Sequence, residues 1–176
     1  MALAQAGNPQ SGFSMARRAS ARRPLYTPEE RARRDSTPWT VVQGVLAPLQ
    51  LLACLVSAAL IWRFLATGEG AQAATISVLV KCGFLYAIMV TGAIWEKVVF
   101  GRYLFAPAFF WEDVVSMAVI ALHTAYVWAW LTGWGDERSR SLLALAAYAV
   151  YVVNATQFLL KLRRARLDAV DAGAAG

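Results

Sequence analysis

Four long stretches that are nearly free of charge constrain what this 176-residue chain can fold into. No charged residue occurs at 36–62, 114–135 or 142–160, and the stretch 73–95 carries only Lys81. About 20 helical residues, rising 1.5 Å each, cross a hydrocarbon core of about 30 Å. The pattern predicts an all-α integral membrane four-helix bundle. The predicted spans are about 39–65, 73–95, 111–131 and 142–160.

The composition excludes several other classes of protein. Hydrophobic residues make up 59% of the chain and charged residues 16%, against about 45–50% and about 25% in soluble domains. A large soluble enzyme, a disordered chain and a disulfide scaffold are therefore excluded. Cys54 and Cys82 lack CxxC spacing and are expected to be packing residues. The single histidine, His123, excludes a multi-histidine metal site within one chain.

The positive charges lie between the apolar stretches in an alternating order. Basic residues cluster before the first span, between the second and third, and after the fourth, whereas the other two connections are close to neutral. This is the distribution of the positive-inside rule. We expect a multi-pass protein of the bacterial inner membrane with both termini in the cytoplasm. The basic segments then contact anionic lipid rather than nucleic acid.

The segments outside the spans complete the predicted organisation. Residues 1–23 are expected to form a disordered basic tail, 24–167 the membrane domain, and 168–176 a flexible C-terminal tail. Thr27 before Pro28, followed by two acidic residues, predicts the start of a short amphipathic helix on the cytoplasmic surface. Lys81 lies about two turns from the outer end of its span and is expected to snorkel toward the interface.

Polar groups collect near one end of the predicted bundle. Ionisable and amide groups at membrane depth are costly, so they are candidates for function. The connection at 96–113, EKVVFGRYLFAPAFFWED, is aromatic where a cytoplasmic loop would be polar, and it is expected to lie in or dip into the interface. A simple aromatic belt would explain its composition as well as a ligand site would. If the topology holds, every helix contributes polar groups to one cytoplasmic-side pocket. These groups are Gln43, Glu96, Lys97, Arg102, Glu112, Asp113, Asn154, Gln157 and Lys161.

Two polar stripes follow helical spacing. Glu112, Ser116 and His123 share one face of the third span, and Tyr151, Asn154 and Gln157 share one face of the fourth. Hydrogen bonds between helices would explain both stripes as well as a ligand site would. His123 has three interpretations: a hydrogen bond to a neighbouring helix, an axial ligand to the magnesium of a chlorophyll-type pigment, or a proton carrier.

Three long segments resemble one known family. PLYTPEERARRDSTPWTVVQGVLAPLQ at 24–50, WEKVVFGRYLFAPAFFWEDVVSMAVIALHTAY at 95–126 and NATQFLLKLRRARL at 154–167 are similar to the 3-vinyl bacteriochlorophyllide hydratase family. The resemblance covers 24–167 and leaves only the N-terminal tail outside the family pattern. It implies a membrane enzyme of bacteriochlorophyll synthesis. Such an enzyme adds water to the C3 vinyl group of chlorophyllide a or a bacteriochlorophyllide and gives a 3-(1-hydroxyethyl) group.

The residues allow a mechanism to be predicted for this reaction. A carboxylic acid that keeps its proton near neutral pH would protonate the vinyl group, and burial beside a second carboxylate favours that neutral form. We expect Asp113 or Glu112 as the acid, with its carboxylate or Glu96 as the base. No added cofactor is expected, and magnesium enters only as part of the pigment.

The expected binding residues surround this acid. Aromatic side chains would stack on the macrocycle, Lys97 or Arg102 would pair with its propionate, and Asn154 and Gln157 would hold the water. His123 would hold the pigment magnesium. The expected aromatic residues are Trp95, Phe105, Phe109, Phe110 and Trp111.

Two other classes fit parts of the pattern. A pigment-binding or assembly protein without turnover would have the same pocket but make no product. A small membrane anchor or transport subunit would have no affinity for pigment, and no ion pathway is evident. Other pigment-biosynthesis enzymes are further candidate partners.

Overall fold

The computed structural model of the chain describes residues 25–174, with side chains to residue 167. The predicted tail at 1–23 lies outside the described residues. Five helices follow one another, and no strand occurs in the described part of the chain, so the predicted all-α class is confirmed. The helices are α1 (Pro28–Ser36), α2 (Pro38–Thr67), α3 (Ala71–Phe100), α4 (Phe110–Thr132) and α5 (Glu137–Ala174).

The first two helices begin at local capping signals. Thr27 Oγ1 accepts the backbone N–H of Glu30 at 3.2 Å, and the Glu30 carboxylate accepts the N–H of Thr27 at 2.8 Å. This capping box satisfies two N–H groups that a helix start leaves unpaired. Thr37 separates α1 from α2 and its Oγ1 accepts the N–H of Trp39 at 3.4 Å. The predicted helix start at Thr27 is therefore confirmed.

Glycine ends the long helices where the chain reverses. Gly68 follows α2 with φ 77° and Gly133 follows α4 with φ 68°, both in the left-handed region. A side chain is strained in this conformation, whereas glycine adopts it readily. The short turns that follow let α2 and α3 pack as one antiparallel pair and α4 and α5 as another.

The helices α2 to α5 are long and apolar enough to cross a membrane. They extend beyond the predicted spans at every end. Large apolar side chains such as Leu55 and Val153 face outward, as lipid-facing side chains do. At the C-terminal end of α5 the backbone of 168–174 is helical, and the flexibility of the predicted tail at 168–176 stays a prediction.

Two buried clusters hold the bundle together. The larger one runs through the middle and joins all four long helices, with Ile61, Val78, Val119 and Tyr148 among its members. The smaller one is aromatic and lies where α1 meets the C-terminal end of α3. Its members include Tyr26, Trp95, Val99, Phe100, Phe109 and Phe158. In addition, Arg33 Nε donates to the Val99 carbonyl at 2.8 Å and ties α1 to α3.

Candidate active site

Three buried carboxyl groups meet beside the aromatic cluster. Glu96 lies in the last turns of α3, and Glu112 and Asp113 lie in the first turn of α4. All three side chains are buried. The carboxyl groups of Glu96 and Asp113 are close neighbours. The structure thus brings together the three residues that the sequence marked as the candidate acid and base.

The connection between α3 and α4 closes over this pair with its backbone. The N–H of Phe105 donates to Asp113 Oδ2 at 2.7 Å, and the N–H of Ala106 donates to Glu96 Oε2 at 3.3 Å. Phe105 has φ 58°, which costs energy for a residue with a side chain. Such strain persists where the surroundings hold it, as they do in many functional sites. Here the two carboxyls hold the connection, and the connection orients them.

Glu112 has a different partner from the other two carboxyls. Lys161 Nζ, from α5, donates to Glu112 Oε2 and to the backbone carbonyl of Ala108. The two side chains form an ion pair that is largely shielded from solvent. Lys161 thereby joins α5, α4 and the connection at one point.

These contacts give the carboxyls two different environments. Two ionised carboxylates buried side by side repel each other, so burial favours a single proton on the Glu96–Asp113 pair. Glu112 is matched by the ammonium of Lys161 and serves as its counter-ion. The structure thus separates a pair of neighbouring carboxyls, Glu96 and Asp113, from a carboxylate paired with an ammonium, Glu112.

A polar pair joins α4 to α5 about one helical turn after Glu112. Asn154 Nδ2 donates to Ser116 Oγ at 2.7 Å, and both side chains are buried. The Oδ1 atom of Asn154 and the Oε1 atom of Gln157 are buried without a protein partner. Buried acceptors without partners are costly, and water satisfies them when it is present. Both predicted amides are thus free to accept hydrogen bonds from water.

The predicted aromatic residues divide into an inner and an outer group. Phe109 is 1% exposed and stacks on Phe158 with ring centroids 5.8 Å apart. Trp95 meets the Phe109 ring edge to face at 5.7 Å, and its Nε1 donates to Thr40. By contrast, Phe105 is 36%, Phe110 43% and Trp111 69% exposed. Only the outer group presents ring surface that a large ligand can cover.

The predicted propionate partners lie on the exposed part of the connection. Lys97 is exposed, donates to the Gly101 carbonyl at 2.9 Å, and lies 5.4 Å from the centroid of the Tyr103 ring. Arg102 is also exposed. Lys97 lies in the last turn of α3 and Arg102 just beyond it, so both lie at the rim of the site rather than within it.

His123 lies in the middle of the bundle, away from the carboxyl groups. Its Nδ1 bonds to the Val119 carbonyl at 2.7 Å, which leaves Nε2 as an acceptor, and Lys81 Nζ lies 2.9 Å from Nε2. This geometry matches the first of the three interpretations, a hydrogen bond between neighbouring helices. Because both ring nitrogens are bonded, neither is free to bind the pigment magnesium, and His123 is not part of the proposed pigment site.

Lys81 does not reach the interface. Its side chain is fully buried, and Nζ lies 4.1 Å from the centroid of the Tyr151 ring. The prediction that Lys81 snorkels is wrong. Ala74, Val78, Lys81 and Leu85 are all buried and follow the four-three-four spacing of one helix face, which turns Lys81 inward.

Two features of the site had little or no signal in the sequence. Lys161 continues the stripe of Asn154 and Gln157 by one turn, but its pairing with Glu112 depends on how α4 and α5 are aligned. The backbone N–H groups of Phe105 and Ala106 have no side-chain signature at all. In residues 25–167, no group of three His, Cys, Asp or Glu side chains has the arrangement of a metal site.

The comparisons with known proteins identify the family. Residues 26–164 match the sequence model of 2-vinyl bacteriochlorophyllide hydratase. A protein of that name from Rhodobacter capsulatus is 68% identical over 155 residues, covering 87% of this chain and 90% of the relative. One from Cereibacter sphaeroides is 65% identical over 150 residues, covering 85% and 93%. No solved structure matches the chain.

These findings favour an enzyme over the alternative of a pigment-binding or assembly protein without turnover, and over a membrane anchor or transport subunit. The chain belongs to the 2-vinyl bacteriochlorophyllide hydratase family: it is a multi-pass membrane hydro-lyase of bacteriochlorophyll synthesis.

Proposed function

We propose that the chain adds water to the C3 vinyl group of chlorophyllide a or a 3-vinyl bacteriochlorophyllide and gives the 3-(1-hydroxyethyl) pigment. The names of the relatives place the vinyl group at position 2. We take positions 2 and 3 to be one site under two numbering systems of the macrocycle, because chlorophyllide a has a single vinyl group. The observation that carries this proposal is the buried Glu96–Asp113 pair beside exposed aromatic rings.

The Glu96–Asp113 pair supplies and recovers the proton. The vinyl π electrons take the shared proton at the terminal carbon, which leaves a carbocation at the inner carbon and two ionised carboxylates. Water then forms a C–O bond at the inner carbon, and its surplus proton returns to the pair. Electrons and protons balance within one cycle, so we propose no redox cofactor and no added metal. Magnesium takes part only as a component of the pigment.

The surroundings of the pair stabilise the cation and hold the water. The macrocycle spreads the positive charge, and two carboxylates in a buried site act more strongly than they would in water. An unpartnered oxygen of Asn154 or Gln157 accepts one hydrogen of the attacking water, and the other hydrogen faces the Glu96–Asp113 pair, which turns the lone pair of the water toward the inner carbon. Ser116 fixes the Asn154 amide in this orientation.

The outer aromatic residues and the rim cations bind the pigment. Phe110 and Trp111 stack on the macrocycle, while Trp95 and Phe109 support the site from beneath. Lys97 or Arg102 pairs with the propionate. A flat, apolar pigment partitions into the headgroup region, where the connection at 101–109 would lie. Enzymes that supply or accept the pigment are the expected further partners.

We also propose that the chain lies in the bacterial inner membrane with both termini in the cytoplasm. Basic residues are concentrated at the end of the bundle where α1 and the three buried carboxyl groups lie. This supports the orientation, since cytoplasmic segments carry excess Lys and Arg. A fluorescent reporter fused at the C-terminus should fold and emit. Alkaline phosphatase inserted after Gly135 should be active. The opposite pattern would show that both termini lie on the outer side of the membrane.

The test of the activity is to supply chlorophyllide a to membranes that contain the protein. Loss of vinyl conjugation should shift the long-wavelength absorption band to the blue, and the product should gain the mass of one water. Magnetic resonance of the isolated product should place the hydroxyl on the former vinyl group. Membranes without the protein provide the control. Bound pigment without product, or water added elsewhere, would contradict the proposal.

A further inference from the structure

The ion pair of Lys161 and Glu112 has no role in the proton transfer described above. It lies one residue from Asp113 along α4, and it bonds to the same connection that closes over the acid pair. The Lys161 side chain is 23% and the Glu112 side chain 9% exposed, and Lys161 Nζ lies 4.9 Å from the Phe109 ring centroid. Because solvent is largely excluded, these charges act strongly on their neighbours.

We propose that the Lys161–Glu112 ion pair is a positioning element that sets the charge around the Glu96–Asp113 acid and so fixes the pH range in which that acid holds its proton. The inference rests on the proposed function. Lys161 and Glu112 act through the acid pair and do not touch the reacting carbons.

The contacts give the net charge of the carboxyl cluster, which consists of Glu96, Glu112 and Asp113 together with Lys161. With one shared proton the Glu96–Asp113 pair carries one negative charge, Glu112 carries one more, and Lys161 carries one positive charge. The cluster therefore has a net charge of about minus one. Asp113 experiences the charges of both Glu112 and Lys161, which have opposite signs.

Other charged groups near this end of the bundle have different partners. Arg33 donates to the Val99 carbonyl, and Arg34 pairs with Asp35 and lies over the Tyr26 ring. Lys97 donates to the Gly101 carbonyl, and Arg102 is exposed. α2 contributes no charged residue here, since 36–62 is free of charge. Of the described cations, Lys161 is the one in contact with the carboxyl cluster.

This arrangement predicts opposite effects for the two halves of the ion pair. Lys161→Met removes a positive charge, so the acid pair should keep its proton to higher pH. Glu112→Gln removes a negative charge, so the proton should be lost at lower pH. Each shift should be about one pH unit, the effect of a unit charge roughly 10 Å away at an effective dielectric constant of ~20. The double variant restores the wild-type charge, and the shifts should cancel.

The experiment measures turnover of chlorophyllide a against pH in membranes carrying each variant. The pH above which turnover is lost should rise in Lys161→Met and fall in Glu112→Gln. In the double variant it should return to the wild-type value. Lys161→Arg keeps the charge and should retain the wild-type profile. Arg163→Met, an exposed cation on the same helix end, is the matched control and should leave the profile unchanged. Shifts in the same direction, or no cancellation in the double variant, would overturn the inference.

A second measurement does not depend on turnover. Infrared difference spectra against pH detect the C=O stretch of a protonated carboxyl, and Glu96→Gln and Asp113→Asn assign the band. The band should titrate with the same opposite shifts in the two single variants. If the band shifts but no variant or wild type makes product, the proposed function fails and the role of the ion pair holds. If wild type makes product but the band does not move, the ion-pair inference fails alone.

Discussion

Lys81 Nζ and His123 Nε2 lie 2.9 Å apart in the middle of the bundle, and both side chains are buried. The pair joins α3 to α4, and the ring of His123 stacks on Tyr148 of α5 with centroids 5.8 Å apart. A hydrogen-bonded amine at this depth is therefore held by three helices. Replacing His123 and replacing Lys81 should therefore have different effects on the stability of the protein.

His123→Leu should destabilise the protein by about 2–4 kcal/mol, because it leaves the Lys81 amine buried without its acceptor. Lys81→Met should change stability by no more than about 1 kcal/mol, because it removes the costly group itself. Thermal unfolding of both purified variants in detergent measures the difference. Equal losses would contradict a hydrogen-bonded role for the pair.

Asn154→Leu should lower kcat by about 10–100-fold with little change in KM, because the attacking water loses one acceptor. Ser116→Ala should lower kcat less, since it only frees the Asn154 amide to rotate. Steady-state rates with chlorophyllide a measure both effects. Thr156→Val is the matched control, since Thr156 is exposed and its Oγ1 bonds only to the Val152 carbonyl. A change confined to KM would assign Asn154 to pigment binding.

Trp111→Ala should raise KM by about 5–10-fold, since one aromatic contact contributes about 1 kcal/mol. The value of kcat should stay near wild type because the acid pair is untouched. Trp62 has a similar exposed fraction, 72%, but lies near the opposite end of α2, and Trp62→Ala should leave KM unchanged. Equal effects of the two substitutions would indicate general loss of membrane packing instead of pigment stacking.

Tyr26 makes the docking of α1 sensitive to alkaline pH. Burial raises the pKa of its hydroxyl above the ordinary value of 10.0, and the hydroxyl has no hydrogen-bond partner. Above pH 10 the unfolded chain releases this proton first, so the stability of the docked state falls as the pH rises toward the folded pKa. Below pH 10 this contribution is constant.

Tyr26→Phe should remove that loss of stability above pH 10 and should be neutral or slightly stabilising at pH 7, because an unpaired hydroxyl leaves the core. Thermal unfolding in detergent between pH 7 and pH 11 checks both effects. An unchanged alkaline slope in the variant would assign the pH dependence to another group.

The sequence predicted the fold because its signals are local. Charge-free stretches give the spans, and Thr27 begins a helix by its own geometry. The meeting of Glu96 with Glu112 and Asp113 also followed from topology, because α3 and α4 are joined at that end. These expectations needed only chain order and helix length.

The different partners of the three carboxyl groups could not be predicted in this way. It depends on Lys161, 49 residues from Glu112 along the chain, and on backbone N–H groups that any residue would supply. Likewise, Phe109 and Phe110 are neighbours of one type, yet one is buried and the other exposed because of where the connection enters α4. Packing between distant segments decides such features.

The most direct test of the shared-proton mechanism is the rate of water addition to chlorophyllide a by Asp113→Asn, at matched amounts of folded protein. General acid catalysis contributes about 10²–10⁴-fold, so the variant should lose at least about a hundredfold in rate while it still binds pigment. Glu137→Gln, an exposed carboxyl at the other end of the bundle, should keep the wild-type rate. A wild-type rate in Asp113→Asn would contradict a proton supplied by the Glu96–Asp113 pair.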